Sequence, residues 1–292
     1  MKVQIFQCFI VLLMSSCYFA WVHQTNSQLK TSNGFSNNFV AIPQKMNRQI
    51  PKFSSTMLLK SQAIDSNDES GNGQKVLDTE ALVRYFGATA LQMGTINIVL
   101  FALNYGLGML GEYELIQKVA VFLFFGFMSV KSRTFSILDN SRPNPESQSK
   151  RNAEMKRPSW MPPPLAFPII WSTIGLLRAI SATIIWETLG HTLLAFPIEI
   201  FMLHLSIGDT WNTINNVEKR LGAAVPGVFC VLMSVYYLVF TYFNTSTLAG
   251  YIIAPSAVWL SVATLLVTTL WRLNSEGIED EPLYPYKVLK EE

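Results

Sequence analysis

Between residues 91 and 273 the chain is a series of apolar runs separated by short polar joins, and this pattern constrains the fold more than any other feature. Residues 91–110 amount to about one bilayer thickness of helix, since a span needs roughly 20 apolar residues. Residues 165–186, 193–207, 223–243 and 249–273 follow as further spans. Residues 119–130 form a shorter run flanked by Lys118 and Lys131. It reads as a short crossing helix, a re-entrant piece or an interfacial helix. The joins at 187–192, 212–222 and 244–248 are short enough to force antiparallel neighbours. An all-α, multi-pass membrane bundle is therefore expected, with five spans, or six if the short run crosses. Composition agrees: 14% of residues are charged, against roughly 25% in soluble domains.

The first 64 residues have a different character. Residues 1–20 carry one lysine, an apolar stretch and then small residues, the layout of a signal peptide. Residues 21–64 are rich in Ser, Asn, Gln and Lys and contain no acid, the composition of an organelle transit peptide. The two together resemble the bipartite leaders of plastid proteins in algae with complex plastids, with Phe19 as the aromatic at the join. Simple secretion into an endomembrane with a disordered polar arm is the alternative. Residues 65–90 read as a solvated linker and lead-in, 91–274 as the membrane domain and 275–292 as an acidic tail.

Charge sets an expected orientation. Residues 131–160 hold seven basic side chains against three acidic ones, so this long loop should face the cytosol or stroma. Helix parity puts the tail on the same side as the join at 212–222. Asn97 and Asn104 lie within the first span and need partners inside a bundle. Cys230 reads as a small buried hydrophobe. The sequence contains no H-E-x-x-H, no phosphate loop, and no spacing suited to a disulfide framework or zinc. It gives no reason to expect nucleic acid as a partner.

The long loop ends in Arg157-Pro-Ser-Trp-Met-Pro-Pro-Pro-Leu-Ala-Phe-Pro-Ile-Ile-Trp171. Pro158 and Pro162 to Pro164 fix φ and remove backbone donors, so helix cannot begin before they are passed. Pro163 or Pro164 is a natural first helical residue. Trp160 and Trp171 bracket a membrane interface, where indole rings settle.

Residues 157–172, with residues 248–274 and their Pro255-x-x-x-Trp259 and Trp271-Arg-Leu-Asn274, resemble the TspO/MBR family of tryptophan-rich sensory and translocator proteins. The resemblance covers the region from Arg157 to the end of the last span. It implies five TspO-like helices; the short run at 119–130, which it does not cover, would add a short hydrophobic helix towards the N-terminal side. It also implies a pocket capped by the proline-rich loop, which takes porphyrins and, in some members, sterols. Carried over by position, Trp160, Pro162, Pro163, Phe167 and Trp171 form the cap and upper pocket. Pro255, Trp259 and Ala263 line it from the last helix. A flat tetrapyrrole wants aromatic faces and a few cations for its carboxylates. Arg178 is the cation deep in a span and the candidate carboxylate partner; a structural pairing with Glu199 or Asp209 is the competing reading. His204 reads as a hydrogen-bonded core residue rather than a metal ligand. The chain departs from the family at Gly208, where the pocket asparagine is absent, and at Thr268, where a sterol pattern loses its tyrosine.

The resemblance points to a tetrapyrrole-binding membrane protein for transport, sensing or sequestration. It implies a bound porphyrin or haem rather than an obligatory cofactor, and a homodimer among its partners. A structural or assembly partner of a photosynthetic membrane complex is the alternative. Light-dependent porphyrin degradation ranks last, because no acid–base or metal constellation is present.

Overall fold

The computed structural model describes residues 74–139, 155–275 and 280–289, so the signal-like and transit-like segments lie outside the described residues. Six α-helices follow in order: α1 (Thr79–Gly108), α2 (Glu114–Lys131), α3 (Ala166–Thr188), α4 (Phe196–Asn212), α5 (Leu221–Thr245) and α6 (Thr247–Asn274). All but α4 are long and apolar enough to cross a membrane. The chain is thus a multi-pass helical membrane bundle. The short run at 119–130 lies within α2, which continues through a 3₁₀ turn to give an apolar segment of 22 residues, Glu114–Phe135. That length suits a crossing helix rather than a re-entrant piece. The helix least suited to span alone is α4, at 17 residues, with Glu199, His204 and Asp209 along it.

The first helix begins well before its apolar run, at Thr79. Asp78 caps it by accepting from the Ala81 N–H at 3.0 Å, as a short acidic side chain does at an N-cap. One stripe of α1 is buried, through Ala81, Tyr85, Ala88, Gln92, Ile96, Leu100 and Leu107. It lies against α4. The opposite face is exposed and apolar, with Phe86, Ile98 and Phe101 outward, which suits lipid. Of the two asparagines, Asn104 accepts from the Leu193 N–H at 2.9 Å, tying α1 to the α3–α4 join. Asn97 instead donates to Met93 O on its own helix at 3.0 Å.

The join between α5 and α6 is a single residue, Ser246, where the sequence suggested five. Its side chain accepts from the Ala249 N–H at 3.5 Å, so the turn and the cap are one residue. The two helices then run so close that a Cβ on Gly250 would lie 2.5 Å from the Phe243 ring. Phe125, Trp186, Phe201 and Tyr242, from four different helices, are among the largest fully buried side chains of the core.

With six helices, the two ends of the described chain come to the same side of the bundle. There β1 (Lys75–Leu77) pairs antiparallel with β2 (Tyr286–Val288). The tail also docks on the helix ends: Trp271 Nε1 donates to Glu281 O at 2.9 Å, and the Gly222 N–H donates to Glu281 Oε1 at 3.1 Å. The tail therefore sits beside the α4–α5 join, as parity predicts. Cys230 is exposed on α5 rather than buried. Lipid is as apolar as the bundle interior, so hydrophobicity alone could not assign its face.

Candidate ligand-binding site

The proline-rich loop forms a turn from Pro158 to Met161, closed by the Met161 N–H on Pro158 O at 3.1 Å. A second turn, with the Ala166 N–H on Pro163 O at 2.9 Å, leads into α3. The helix therefore starts at Ala166. Pro168 falls within its first turn, where its missing donor costs nothing. The loop is pinned to the end of α6 by Asn274, which accepts from the Lys156 N–H at 2.8 Å and donates back to Lys156 O at 2.9 Å.

Below the loop three rings converge. Phe167 and Trp171, one turn apart on α3, both meet Trp259 of α6 edge-on, with centroids 6.1 and 6.4 Å away. This geometry puts the positive edge of one ring on the negative face of another. Ala263 is buried one turn from Trp259 on α6. Trp160 is 48% exposed and Trp171 is 37% exposed. Pro163 and Pro255 are exposed and Pro162 is half-buried. Of the eight positions carried over from the family resemblance, the structure brings Phe167, Trp171 and Trp259 into one cluster. A cavity of about 390 Å³ lies elsewhere, on the outer flank between α2 and α3. It is lined by Leu115, Val119, Phe122, Ile180 and Ile184, with Lys118 and Glu187 paired at its edge.

Arg178 is buried in the core of the bundle, on the same helix as Phe167 and Trp171. It meets neither Glu199 nor Asp209 in a direct ion pair among the described residues. Its Nη2 lies 2.8 Å from His204 Nε2, and His204 Nδ1 lies 2.8 Å from Ser234 Oγ. His204 is therefore the hydrogen-bonded core residue the sequence suggested. Asp209 is held by Gln92 of α1 at 2.7 Å. Thr210 on α4 meets Thr89 on α1 at 2.7 Å. Ser234, Tyr242, Ser256 and Gln92 were not singled out by the sequence. Ser256 could have been found from its place one turn before Trp259. Tyr242 carries no such signal. Among the described residues no three His, Cys, Asp or Glu side chains gather in a way that could hold a metal.

The architecture and the ring cluster define a multi-pass helical membrane protein with aromatic side chains gathered beneath a proline-rich loop. Residues 134–272 match the TspO/MBR family. Protein CrtK of Rhodobacter capsulatus is 27% identical over 121 residues, which is 41% of this chain and 76% of that one. Tryptophan-rich protein TspO of Bacillus cereus is 26% identical over 41% of this chain and 78% of its own length. The human translocator protein is 23% identical over 42% of this chain and 73% of its own. The family match begins after α2, so α1 lies outside it.

Proposed function

We propose that this protein binds a hydrophobic tetrapyrrole, a porphyrin or a close derivative, within the bilayer and serves its transport, sensing or stress-linked sequestration. The observation that carries the reading is the convergence of Phe167, Trp171 and Trp259 from two helices directly beneath the proline-rich loop. Apolar sites lined by aromatic rings with a few placed polar groups suit a flat, oily guest. Trp160, Pro162 and Pro163 form the cover of that site in this reading, and Pro255 and Ala263 its flank. The names of the relatives, among them a translocator protein and a tryptophan-rich sensory protein, are compatible with it. The partners are the bilayer, the tetrapyrrole and, on the family resemblance, a second copy of the chain. The acid-free leader supports a plastid membrane in an alga with complex plastids. The test is the absorption spectrum of the protein purified from its native membrane: an intense tetrapyrrole band is expected, and its absence from native and reconstituted protein alike counts against the reading.

A second reading, an assembly partner of a photosynthetic membrane complex, is favoured by one observation. The helix α1 lies outside the family match and presents an exposed apolar face. Co-purification with a large complex and no pigment in the isolated protein would select it.

A further inference from the structure

The helices α2 and α3 run antiparallel, and small residues bring them together at the end nearer the proline-rich loop. A Cβ on Gly175 would lie 3.6 Å from Val130 Cγ2, and one on Gly126 would lie 4.0 Å from Ala179 Cβ. Towards the other end of the pair, Phe122, Ile180 and Ile184 take the place of the small residues. There the cavity of about 390 Å³ lies between the two helices. Leu115, Val119 and Phe122 follow at spacings of four and three, so they share a face of α2; Ile180, Ile184 and Glu187 do the same on α3. Leu115 is 75% exposed and Val119 is 45% exposed, so the cleft opens outward, towards lipid.

The walls suit hydrocarbon. Thr183 is the uncharged polar residue among them, and its hydroxyl already donates to Ala179 O at 2.8 Å. An ordered water needs at least two polar partners, which such walls do not supply. From Ile180 to Glu187 the cleft runs about 10 Å along the axis at the rise of an α-helix. One leaflet of hydrocarbon is about 15 Å deep, so the cleft matches the upper part of a single acyl chain.

The mouth of the cleft is charged. Lys118 Nζ and Glu187 Oε1 meet there at 2.5 Å, with the two side chains 51% and 30% exposed. Lys118 lies just past the first turn of α2, and Glu187 is the second-last residue of α3, which is where a headgroup sits. An ammonium carries three donors and a carboxylate about four lone-pair sites, so the pair leaves capacity on both partners. Glu112, Glu114 and Glu199 lie at the same end of the bundle, where Lys118 is the one Lys or Arg among the described residues. Clusters of Lys and Arg draw anionic headgroups; a lone cation amid carboxylates does not. Its complement is a headgroup that carries both signs.

We propose that this cleft is a binding site for one zwitterionic phospholipid. One acyl chain lies between α2 and α3, the phosphate accepts from Lys118 Nζ, and the ammonium donates to the Glu187 carboxylate. The site is independent of the aromatic cluster, and its failure would leave the tetrapyrrole reading untouched.

The test uses the full protein purified in detergent. It is titrated with dioleoylphosphatidylethanolamine, dioleoylphosphatidylglycerol and dioleoylglycerol, and the lipid retained per chain is counted by native mass spectrometry. The phosphatidylethanolamine is expected to be held as a one-to-one complex, roughly tenfold more tightly than either of the others. Lys118→Met should bring it down to the level of dioleoylglycerol. Glu187→Gln should raise phosphatidylglycerol to the level of phosphatidylethanolamine. An exposed ion pair contributes little to folding, so both variants should remain intact. Val119→Trp fills the cleft without changing any charge and should weaken retention at least tenfold. Equal retention of the three lipids by the wild type, or a preference that survives Val119→Trp, overturns the proposal. So does a lipid-free dimer of the chain that Val119→Trp disrupts, which would make this flank an interface between copies.

Discussion

Gln92 of α1 and Asp209 of α4 meet in the buried seam between their helices, where the Gln92 carboxamide nitrogen donates to Asp209 Oδ2 at 2.7 Å. The same nitrogen donates to Ser132 O, at the end of α2, at 3.1 Å. One side chain therefore joins three elements, two of which lie outside the family match.

Gln92→Leu removes that donor and leaves a buried carboxylate short of a partner. Leaving a charged acceptor unsatisfied costs about 1–3 kcal/mol or more. The expected result is a lower unfolding midpoint in detergent and faster hydrogen exchange along α1. Adding Asp209→Leu to Gln92→Leu should cost less than the two single changes summed, because the pair acts as a unit. Ile98→Ala, on the lipid face of α1, should change neither measurement. Strict additivity of the two single changes would count against the seam.

Gly222 is where the tail meets the bundle. A Cβ placed there would lie 2.1 Å from Pro282 O, a distance that backbone atoms cannot accept. Gly222→Ala should therefore displace the tail from α5, breaking the bond to Glu281 and loosening the β1–β2 pair. Limited proteolysis between residues 280 and 289 should become faster, while the membrane helices stay protected. A tail that resists protease as well as the wild type would contradict this docking.

On the same face, Asp78 caps α1 and accepts from Arg220 at 3.1 Å. The Ala81 N–H, and then the Arg220 guanidinium, hold its carboxyl below the usual value of 3.8. A carboxylate held low contributes stability that is full above the ordinary carboxylate range and fades as pH falls through its folded value. Acidification below about pH 4 should thus loosen the start of α1. Asp78→Ala should cost about 1 kcal/mol through the lost cap and flatten that part of the pH response. Amide exchange at Ala81 across pH 3 to 7 reads both.

The sequence made the bundle legible because 14% charged residues and repeated bilayer-length runs leave few other folds. Phe167, Trp171 and Trp259 were singled out only through the family resemblance, since nothing local in the sequence pairs α3 with α6. What it could not show was which face of each helix points inward. Membrane helices are apolar all round, so periodicity distinguishes lipid from core poorly. Cys230 turned outward for that reason, and Tyr242 and Ser256 went unnoticed. The polar first turns of α1 were read as linker because their partners, Glu218 and Arg220, lie more than a hundred residues away. The pairing of Arg178 with His204 rather than with an acid was hidden likewise: it depends on how α3 and α4 are rotated, which spacing along one helix does not fix.

The central claim is that the rings of α3 and α6 form the binding site of a flat apolar guest. Titration of reconstituted protein with protoporphyrin IX dimethyl ester, followed by tryptophan fluorescence and by absorption, tests it. The account predicts saturable binding that weakens at least tenfold, about 1.4 kcal/mol, when Trp171→Ala and Trp259→Ala are combined, with Trp186 still reporting a folded core. Affinity unchanged by the double substitution would contradict it.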